Sequence, residues 1–216
     1  MGLRSWFTRA APFDEARWVV LDVEASGLDA AHDRLLAIAA IAVRWPGGEA
    51  VPRIELGDSF EVVLRQDESA PLDKPNILIH GIGVGAQRAG VAPREGLAAF
   101  SDWAGASPLI AFHAAFDETM IRRALRSASL PALRGPWVDL APVAEVARPD
   151  VAAKSLDEWL SHFAIEVAVR HQAAADTLAT AELMLRLWPA IVAQHAGAGF
   201  RGLVELAAQR RWLKPG

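Results

Sequence analysis

The stretch Trp18–Leu28 (WVVLDVEASGL) constrains the fold and function of this chain most strongly. Five of its first six residues are apolar and three of these are the β-branched valine, which predicts a buried central strand. Asp22 and Glu24 lie at the end of that strand, and because side chains alternate along a strand, both carboxylates leave the sheet on one face. Two like charges placed there repel each other and lose hydration, which is costly unless a positive charge compensates them. A divalent metal ion would supply that charge.

The residues after the strand favour a ligand-binding turn. Ser26 and Gly27 have turn chemistry and allow the backbone to approach a ligand closely. Asp-x-Glu is nevertheless a short pattern, and on its own it is more often a strand that runs into a solvated loop. The functional interpretation therefore needs further acidic residues from elsewhere in the chain.

Composition limits the classes of protein to be considered. The 216 residues, 52% of them hydrophobic, are enough for a domain with a sizeable core. The absence of cysteine excludes disulfides, thiol catalysis and cysteine-ligated metal. Apolar runs are too short to span a membrane, and residues 1–17 lack the apolar centre of a signal peptide, so we expect a cytoplasmic protein with no membrane partner. The net charge of −4 gives no general basic footprint for nucleic acid, although cations in an acidic site can bind phosphates.

Hydrophobic patterning predicts an α/β fold. Strands are expected at Trp18–Val23, Arg34–Trp45, Ser59–Arg65, Pro108–Phe112 and Gly135–Leu140, and helices at Pro93–Ala104, Asp117–Ser127, Ser155–Phe163, Ala173–Leu187 and Gly202–Trp212. Short turns make the first three strands an antiparallel meander, and the later strands and helices complete a mixed sheet flanked by helices.

The remaining segments complete the predicted organisation. Residues 66–90 are expected to form a long connection, and residues 1–17 a short helix or a loose segment. We expect residues 17–192 to form the main domain, preceded by an extension over 1–16. A helical extension over 193–216 is expected to pack on the same domain.

Two further acidic sites follow in the chain. Asp117 ends the segment HAAFD and begins a predicted helix, where a carboxylate suits the positive end of the helix dipole. Asp176 ends the segment HQAAAD, with His171 on the preceding loop and alanines around the carboxylate. Taken singly, Asp117 is more often a helix cap, and Asp176 a surface carboxylate beside an unrelated histidine.

Together the sites point to metal-dependent hydrolysis. Asp22, Glu24, Asp117 and Asp176 come from one strand end and two helix starts that could converge. Oxygen ligands without cysteine suit Mg²⁺ or Mn²⁺ better than zinc. Two such ions would clamp the attacking and leaving oxygens of a phosphodiester displacement, with His171 as the general base that takes a proton from water.

The order Asp-x-Glu, His-x-x-Phe-Asp and His-x-x-x-x-Asp resembles the DEDDh (DnaQ-like) class of 3′–5′ exonucleases. The resemblance covers residues 17–190 and is strongest to the epsilon-type exonucleases of bacterial DNA polymerase III. Supporting segments are Asn76–Ile82, Trp137–Leu140 and Ser155–Leu160. The resemblance implies a ribonuclease H-like fold and the release of nucleoside 5′-monophosphates from the 3′ ends of single-stranded DNA or RNA.

The resemblance also implies roles for individual residues. The four carboxylates would be metal ligands and, with His171, the catalytic set. The residues implied to bind nucleotide are Ala25, Ser26, Gly27 and Leu28 around the terminal nucleotide, His80 and Phe116 beside the terminal bases, and His113 near the backbone. This chain has Ala25 and Ala114 where the family often has Thr and Asn, so we expect an altered grip on substrate rather than lost chemistry.

Other functions remain open from sequence alone. A non-catalytic nucleic-acid or protein-binding module could keep the fold. A docking protein could use the apolar helix Ala173–Trp188 as a dimer surface. The chain ends at Gly216 after one further helix, which favours a stand-alone nuclease over a polymerase-bound one. Homodimerisation and the choice between DNA and RNA are not decided by the sequence.

Overall fold

A central mixed sheet organises the protein. The computed structural model describes residues 14–48, 50–67, 74–194 and 199–210. The strands are β1 (Arg17–Ala25), β2 (Leu35–Arg44), β3 (Arg53–Val63), β4 (Leu109–Ala111) and β5 (Trp137–Asp139), in the spatial order β3-β2-β1-β4-β5. β1 pairs antiparallel with β2 and β2 with β3, whereas β4 runs parallel to both β1 and β5. The predicted meander, extended by parallel strands, is confirmed.

Helices cover both faces of the sheet. They are α1 (Lys74–His80), α2 (Val84–Ala89), α3 (Pro93–Ala104), α4 (Ala115–Ser127), α5 (Leu140–Ala147), α6 (Leu156–His162), α7 (Ala173–Gln194) and α8 (Gly199–Gln209). Along β1, Val19 and Leu21 enter the core shared with α3 and α4. Trp18 and Val20 enter the opposite core, shared with α5, α7 and α8. By this alternation, Asp22 and Glu24 leave the sheet on the α7 side.

The edge strand β3 begins well before the predicted start at Ser59. Its outer half is largely exposed, with Leu56 exposed to 70%, so a buried-strand pattern is absent there. The pairing of β3 with β2 also shifts register between Ile41 and Ala42. This irregularity interrupts the alternation of buried and exposed side chains along β3, which is the pattern that predicts a strand.

The predicted long loop over 66–90 contains two short helices, so that prediction was wrong. Helix α2 begins after Gly83 without a side-chain cap. Tertiary contacts hold α2 instead: Gln87 is buried, and its carbonyl accepts a hydrogen bond from Gln66 N at 2.8 Å. Such contacts between chain segments have no signature in local sequence.

Helix α5 was missed because the apolar run from Trp137 continues through two elements. The strand ends at Asp139, whose carboxylate accepts a hydrogen bond from Ala141 N at 3.0 Å and caps the helix. Nearly all of α5 is buried, so it shows no amphipathic period.

The two C-terminal helices also differ from prediction. Helix α7 continues through Pro189 to Gln194, because Leu187, Trp188 and Ile191 are buried in the core. Helix α8 begins at Gly199, and its predicted end at Trp212 lies outside the described residues, as do residues 1–13. Among the described helices, none is both long and apolar enough to cross a membrane.

Gly135 allows the close backbone approach that brings β5 beside β4. A Cβ at this position would collide with the backbone of Ser107. The collision would lie next to the 2.8 Å hydrogen bond that Leu109 N donates to the Pro136 carbonyl. We expect Gly135→Ala to destabilise the fold by about 1–3 kcal/mol, the usual cost of overpacking. Thermal melts will test this, with Gly57→Ala as control because no atom lies within 4 Å of the position that its methyl group would take. Equal melting temperatures for both variants would contradict the packing argument.

Candidate active site

The end of β1 places two carboxylates in a poorly hydrated position. Burial raises the pKa of Asp22 to about 7, although the charge of Arg170 opposes the change. Burial and then the neighbouring charge of Asp22 raise the pKa of Glu24 to about 8. Both carboxyl groups therefore resist ionisation, as expected for like charges held close together away from water.

Asp117 joins this pair from the first turn of α4. The residue is only 3% exposed, and its Oδ1 is buried with no hydrogen-bond partner among the described residues. Burial, with a further contribution from the charge of Asp22, raises the pKa of Asp117 well above its usual value. A buried carboxylate oxygen without a partner is costly, so this oxygen is available to a ligand.

Asp176 comes from the first turn of α7. It is 6% exposed, and its two oxygens are held by the segment before the helix. Oδ1 forms an ion pair with Arg170, and Oδ2 accepts a hydrogen bond from His171 N at 3.1 Å. The start of α7 also contacts β1 directly, because Ala173 N–H donates to the Glu24 carboxylate.

The four predicted ligands thus lie in one region, but they do not form a ready metal cage. Asp22 affects the pKa of both Glu24 and Asp117, and Arg170 links Asp22 and Glu24 electrostatically to Asp176. In the described part of the chain, no three His, Cys, Asp or Glu side chains are arranged to hold a metal ion as they stand. One of the four, Asp176, is already paired with the guanidinium of Arg170.

His171 and Arg170 form the rim of this region. His171 is exposed and has a positive φ of 60°, an uncommon backbone conformation for a residue with a side chain. The Arg170 side chain is 24% exposed and lies between two carboxylates, with its Nε 2.5 Å from Asp157 Oδ1.

The turn after β1 is ordered by a residue that sequence reasoning missed. Asp33 accepts hydrogen bonds from Ser26 Oγ and from Asp29 N, both at 2.8 Å. Its carboxylate fills the space where a Cβ on Gly27 would lie, so any side chain at that position would displace Asp33. Leu28, at the tip of the turn, is 94% exposed, which leaves it available to an apolar partner.

The other predicted nucleotide-binding residues lie in different environments. His80 is only 3% exposed; its Nδ1 accepts from Ile82 N at 2.9 Å, and burial lowers its pKa. His113 is exposed with a φ of 61°, and its ring centroid lies 4.7 Å from that of Phe112. Phe116 is half-buried against the core on the α4 side of the sheet.

Two more residues support the site through hydrogen bonds, and the sequence did not predict a role for either. Asn76 Nδ2 donates to the Ala25 carbonyl at 2.8 Å and ties α1 to the turn after β1. Asp139 Oδ1 accepts from His113 N at 2.9 Å and steadies the segment that leads to Asp117. Both residues lie in segments that resemble the exonuclease family, and this resemblance was the only feature of the sequence that pointed to them. No feature of the sequence pointed to Asp33 or Arg170.

Comparison with known proteins decides the family. The model of the RNase T family, described as exonuclease, matches residues 19–184. The chain belongs to this exonuclease family. The predicted 3′–5′ exonuclease family and hydrolase class are therefore confirmed.

Curated relatives of this exonuclease include DNA polymerases. The PolC-type DNA polymerase III of Bacillus cereus is 30% identical over 173 residues, which are 80% of this chain and 11% of the polymerase. That of Bacillus subtilis is 28% identical over 175 residues, 81% of this chain and 12% of the polymerase. The exonuclease thus spans about a ninth of the length of these relatives.

Solved structures confirm the ribonuclease H-like fold class. Exonuclease I has a TM-score of 0.68 at 19% identity, over 83% of this chain and 44% of that one. The E. coli Exonuclease I complex with a dT13 oligonucleotide has a TM-score of 0.69 at 18% identity, over 83% and 43% of the two chains. Cell-death related nuclease 4 has a TM-score of 0.66 at 14% identity, over 86% and 66%.

The chemistry of the donor set suits a hard divalent cation. The carboxylates supply only oxygen, repel one another and include Asp117 Oδ1, which has no hydrogen-bond partner among the described residues. Release of Asp176 from Arg170 would make the fourth carboxylate available.

The raised pKa values predict that the metal-free exonuclease loses stability as the pH rises. The unfolded chain has carboxyl pKa values near 4, so the folded chain binds these protons more tightly. The free energy of unfolding therefore falls as pH increases from about 4 through the values of about 7 and 8 for Asp22 and Glu24. Asp22→Asn should melt about 4 °C or more above the wild type at pH 8.5 in EDTA, and this gain should disappear near pH 5.

Thermal melts in EDTA between pH 5 and 9 will check this prediction. Asp150→Asn is the control, because Arg148 lowers the pKa of Asp150 to about 2 and it stays ionised throughout this range. Its difference from the wild type should not vary with pH. A wild-type melting temperature that does not fall between pH 5 and 9 would show that the buried carboxyl groups ionise normally.

Proposed function

We propose that this exonuclease hydrolyses phosphodiester bonds from the 3′ end of single-stranded DNA or RNA and releases nucleoside 5′-monophosphates. Two divalent cations, Mg²⁺ or Mn²⁺, would be held by Asp22, Glu24, Asp117 and Asp176. His171 would act as the general base.

The buried, mutually repelling carboxylates carry this proposal. Asp22, Glu24 and Asp117 have raised pKa values because each is desolvated, and the charge of Asp22 contributes to the other two. A structural role would be served better by neutral side chains, since a buried carboxylate cluster destabilises a fold. Perturbed acids at a strand end are typical of functional sites.

Each residue then has a defined part in the chemistry. Bound cations supply an activated water and compensate the charge that develops on the leaving 3′ oxygen. The carboxylates hold the cations and, with the surrounding β1 and helix starts, keep their positions fixed. His171, exposed beside Asp176, takes the proton from the attacking water.

The turn after β1 and helix α1 would receive the terminal nucleotide. Asp33 holds the Ser26–Leu28 backbone, and the Asn76–Ala25 hydrogen bond of 2.8 Å joins the turn to α1. Leu28 is exposed on the turn, and Leu78 and Ile79 are exposed on α1, by 94%, 85% and 55%. Exposed aliphatic side chains on joined elements suit the faces of nucleobases, which are sequence-tolerant partners.

The substrate class is supported by what related proteins bind. Exonuclease I structures are solved with dT13 and dA16 oligonucleotides, which are single strands. We propose the same class of substrate here and propose further that the chain cleaves without a partner, since all five catalytic residues come from this one chain.

A time course with 3′- and 5′-labelled single-stranded DNA and RNA oligonucleotides tests the proposal. The purified chain is incubated with Mg²⁺, Mn²⁺ or EDTA, and the products are separated by length. Metal-dependent shortening from the 3′ end, with release of mononucleotides, is the expected result and will also show the preferred sugar. Binding without cleavage of either polymer would instead support a non-catalytic module.

Loss of a carboxylate should abolish cleavage without unfolding the chain. Asp22→Ala removes a ligand and relieves like-charge repulsion, so in EDTA at pH 8.5 it should melt at or above the wild-type temperature. Asp176→Ala also removes a ligand but leaves Arg170 with Asp157 as its partner, so it should stay folded with a lower melting temperature. Glu118→Ala is the matched control, because Glu118 neighbours Asp117 but pairs with Arg122 on the surface of α4. If the Asp22 and Asp176 variants fail to fold, these residues have a structural role.

Loss of the base should slow hydrolysis rather than prevent it. We expect His171→Ala to reduce the single-turnover rate by roughly 10²–10⁴-fold, the usual contribution of a general base. His162→Ala, an exposed histidine at the end of α6, should leave the rate unchanged. A wild-type rate in the His171 variant would assign the proton transfer to another group.

A further inference from the structure

The positive charge of Arg170 acts on several members of the carboxylate cluster. Its guanidinium pairs with Asp176, and its charge opposes the raised pKa values of Asp22 and Glu24. The Arg170 side chain is 24% exposed and that of Asp176 only 9%, so this ion pair is largely shielded from water. Removing one partner of a shielded pair is costly, because the other charge is then left buried and uncompensated.

We propose that Arg170 is a positioning residue that competes with the divalent cation for Asp176. The guanidinium compensates the carboxylates when no metal is bound and must release Asp176 before that carboxylate can serve as a ligand. This inference rests on the proposed function, because it concerns the same metal site.

Both oxygens of Asp176 are already engaged. Oδ1 holds the Arg170 guanidinium, and Oδ2 accepts the His171 N–H at 3.1 Å. A cation that binds Asp176 through Oδ1 must therefore displace Arg170. The guanidinium and the divalent cation would each place a positive charge against the same carboxylate oxygen. Binding of one therefore weakens binding of the other.

Asp157 gives the displaced guanidinium a second partner. Arg170 Nε lies 2.5 Å from Asp157 Oδ1, at the start of α6, and this contact lowers the pKa of Asp157. The Asp157 side chain is 62% exposed and does not belong to the cluster of raised pKa values. The arginine can therefore leave Asp176 while it stays attached at the rim, which limits the cost of the exchange.

Competition and simple structural support predict opposite effects on metal binding. If Arg170 competes with the cation, its removal must tighten metal binding and, at the same time, destabilise the metal-free chain by leaving the carboxylates uncompensated. If Arg170 only supports the segment before α7, its removal would weaken metal binding together with stability. The sign of the change in metal affinity therefore separates the two roles.

Calorimetric titration with Mn²⁺, combined with thermal melts in EDTA, provides the test. We expect Arg170→Gln to bind Mn²⁺ about 5-fold or more tightly than the wild type and to melt at a lower temperature in EDTA. Arg170→Lys should fall between the two, because an ammonium keeps the charge but not the forked geometry of a guanidinium. Arg148→Gln is the control, since it removes the same charge from a pair with Asp150 and should leave Mn²⁺ affinity unchanged.

The outcomes distinguish this inference from the proposed function. Equal or weaker Mn²⁺ binding by Arg170→Gln, with the wild type binding normally, would overturn the competition and leave the nuclease proposal intact. Absence of Mn²⁺ binding in every folded variant would overturn the metal site itself. If Arg170→Gln does not fold, Arg170→Lys decides: affinity equal to or below that of the wild type would overturn the competition.

Discussion

Repulsion among the buried carboxyl groups at the end of β1 is the constraint to which the rest of the site responds. Asp22, Glu24 and Asp117 are desolvated, and the charge of Asp22 raises the pKa of the other two. A fold keeps such an arrangement against its own stability only if something binds there. The same repulsion that destabilises the metal-free chain would make the site attractive to a divalent cation, so stability and ligand affinity are opposed through one cluster.

The scaffold fixes these charges with short, rigid connections. β1 is the central strand, and Asp22 and Glu24 pair with residues of β2, so they cannot move apart without disturbing the sheet. Asp117 and Asp176 each lie in the first turn of a helix, where the positive end of the dipole favours a carboxylate. Asp33 and Asn76 then hold the turn after β1 from two sides. The adjustable part is the segment of Arg170 and His171, which contacts the cluster through Asp176.

The features that could be predicted from the sequence are those that depend on local periodicity or on motifs in a fixed order. The alternation along β1 placed Asp22 and Glu24 on one face, and the capping box at Ser155 and Glu158 fixed the start of α6. Helices α1 and α2 were missed because seven and six residues are too few to show a helical period, and α5 because it is buried nearly all round. The ion pair between Arg170 and Asp176 joins a loop to a helix turn, and the hydrogen bond from Ser26 Oγ to Asp33 closes an eight-residue turn. Neither contact has a pattern that a single sequence displays.

The most direct test of this account is the number of protons released when Mn²⁺ binds near pH 7. Calorimetric titrations in buffers of different ionisation enthalpy give that number independently of catalysis. Because the carboxyl groups of Asp22 and Glu24 have pKa values of about 7 and 8, the account predicts release of about one proton or more, and fewer for Asp22→Asn. Binding without proton release would contradict it, since the ligands would then already be ionised.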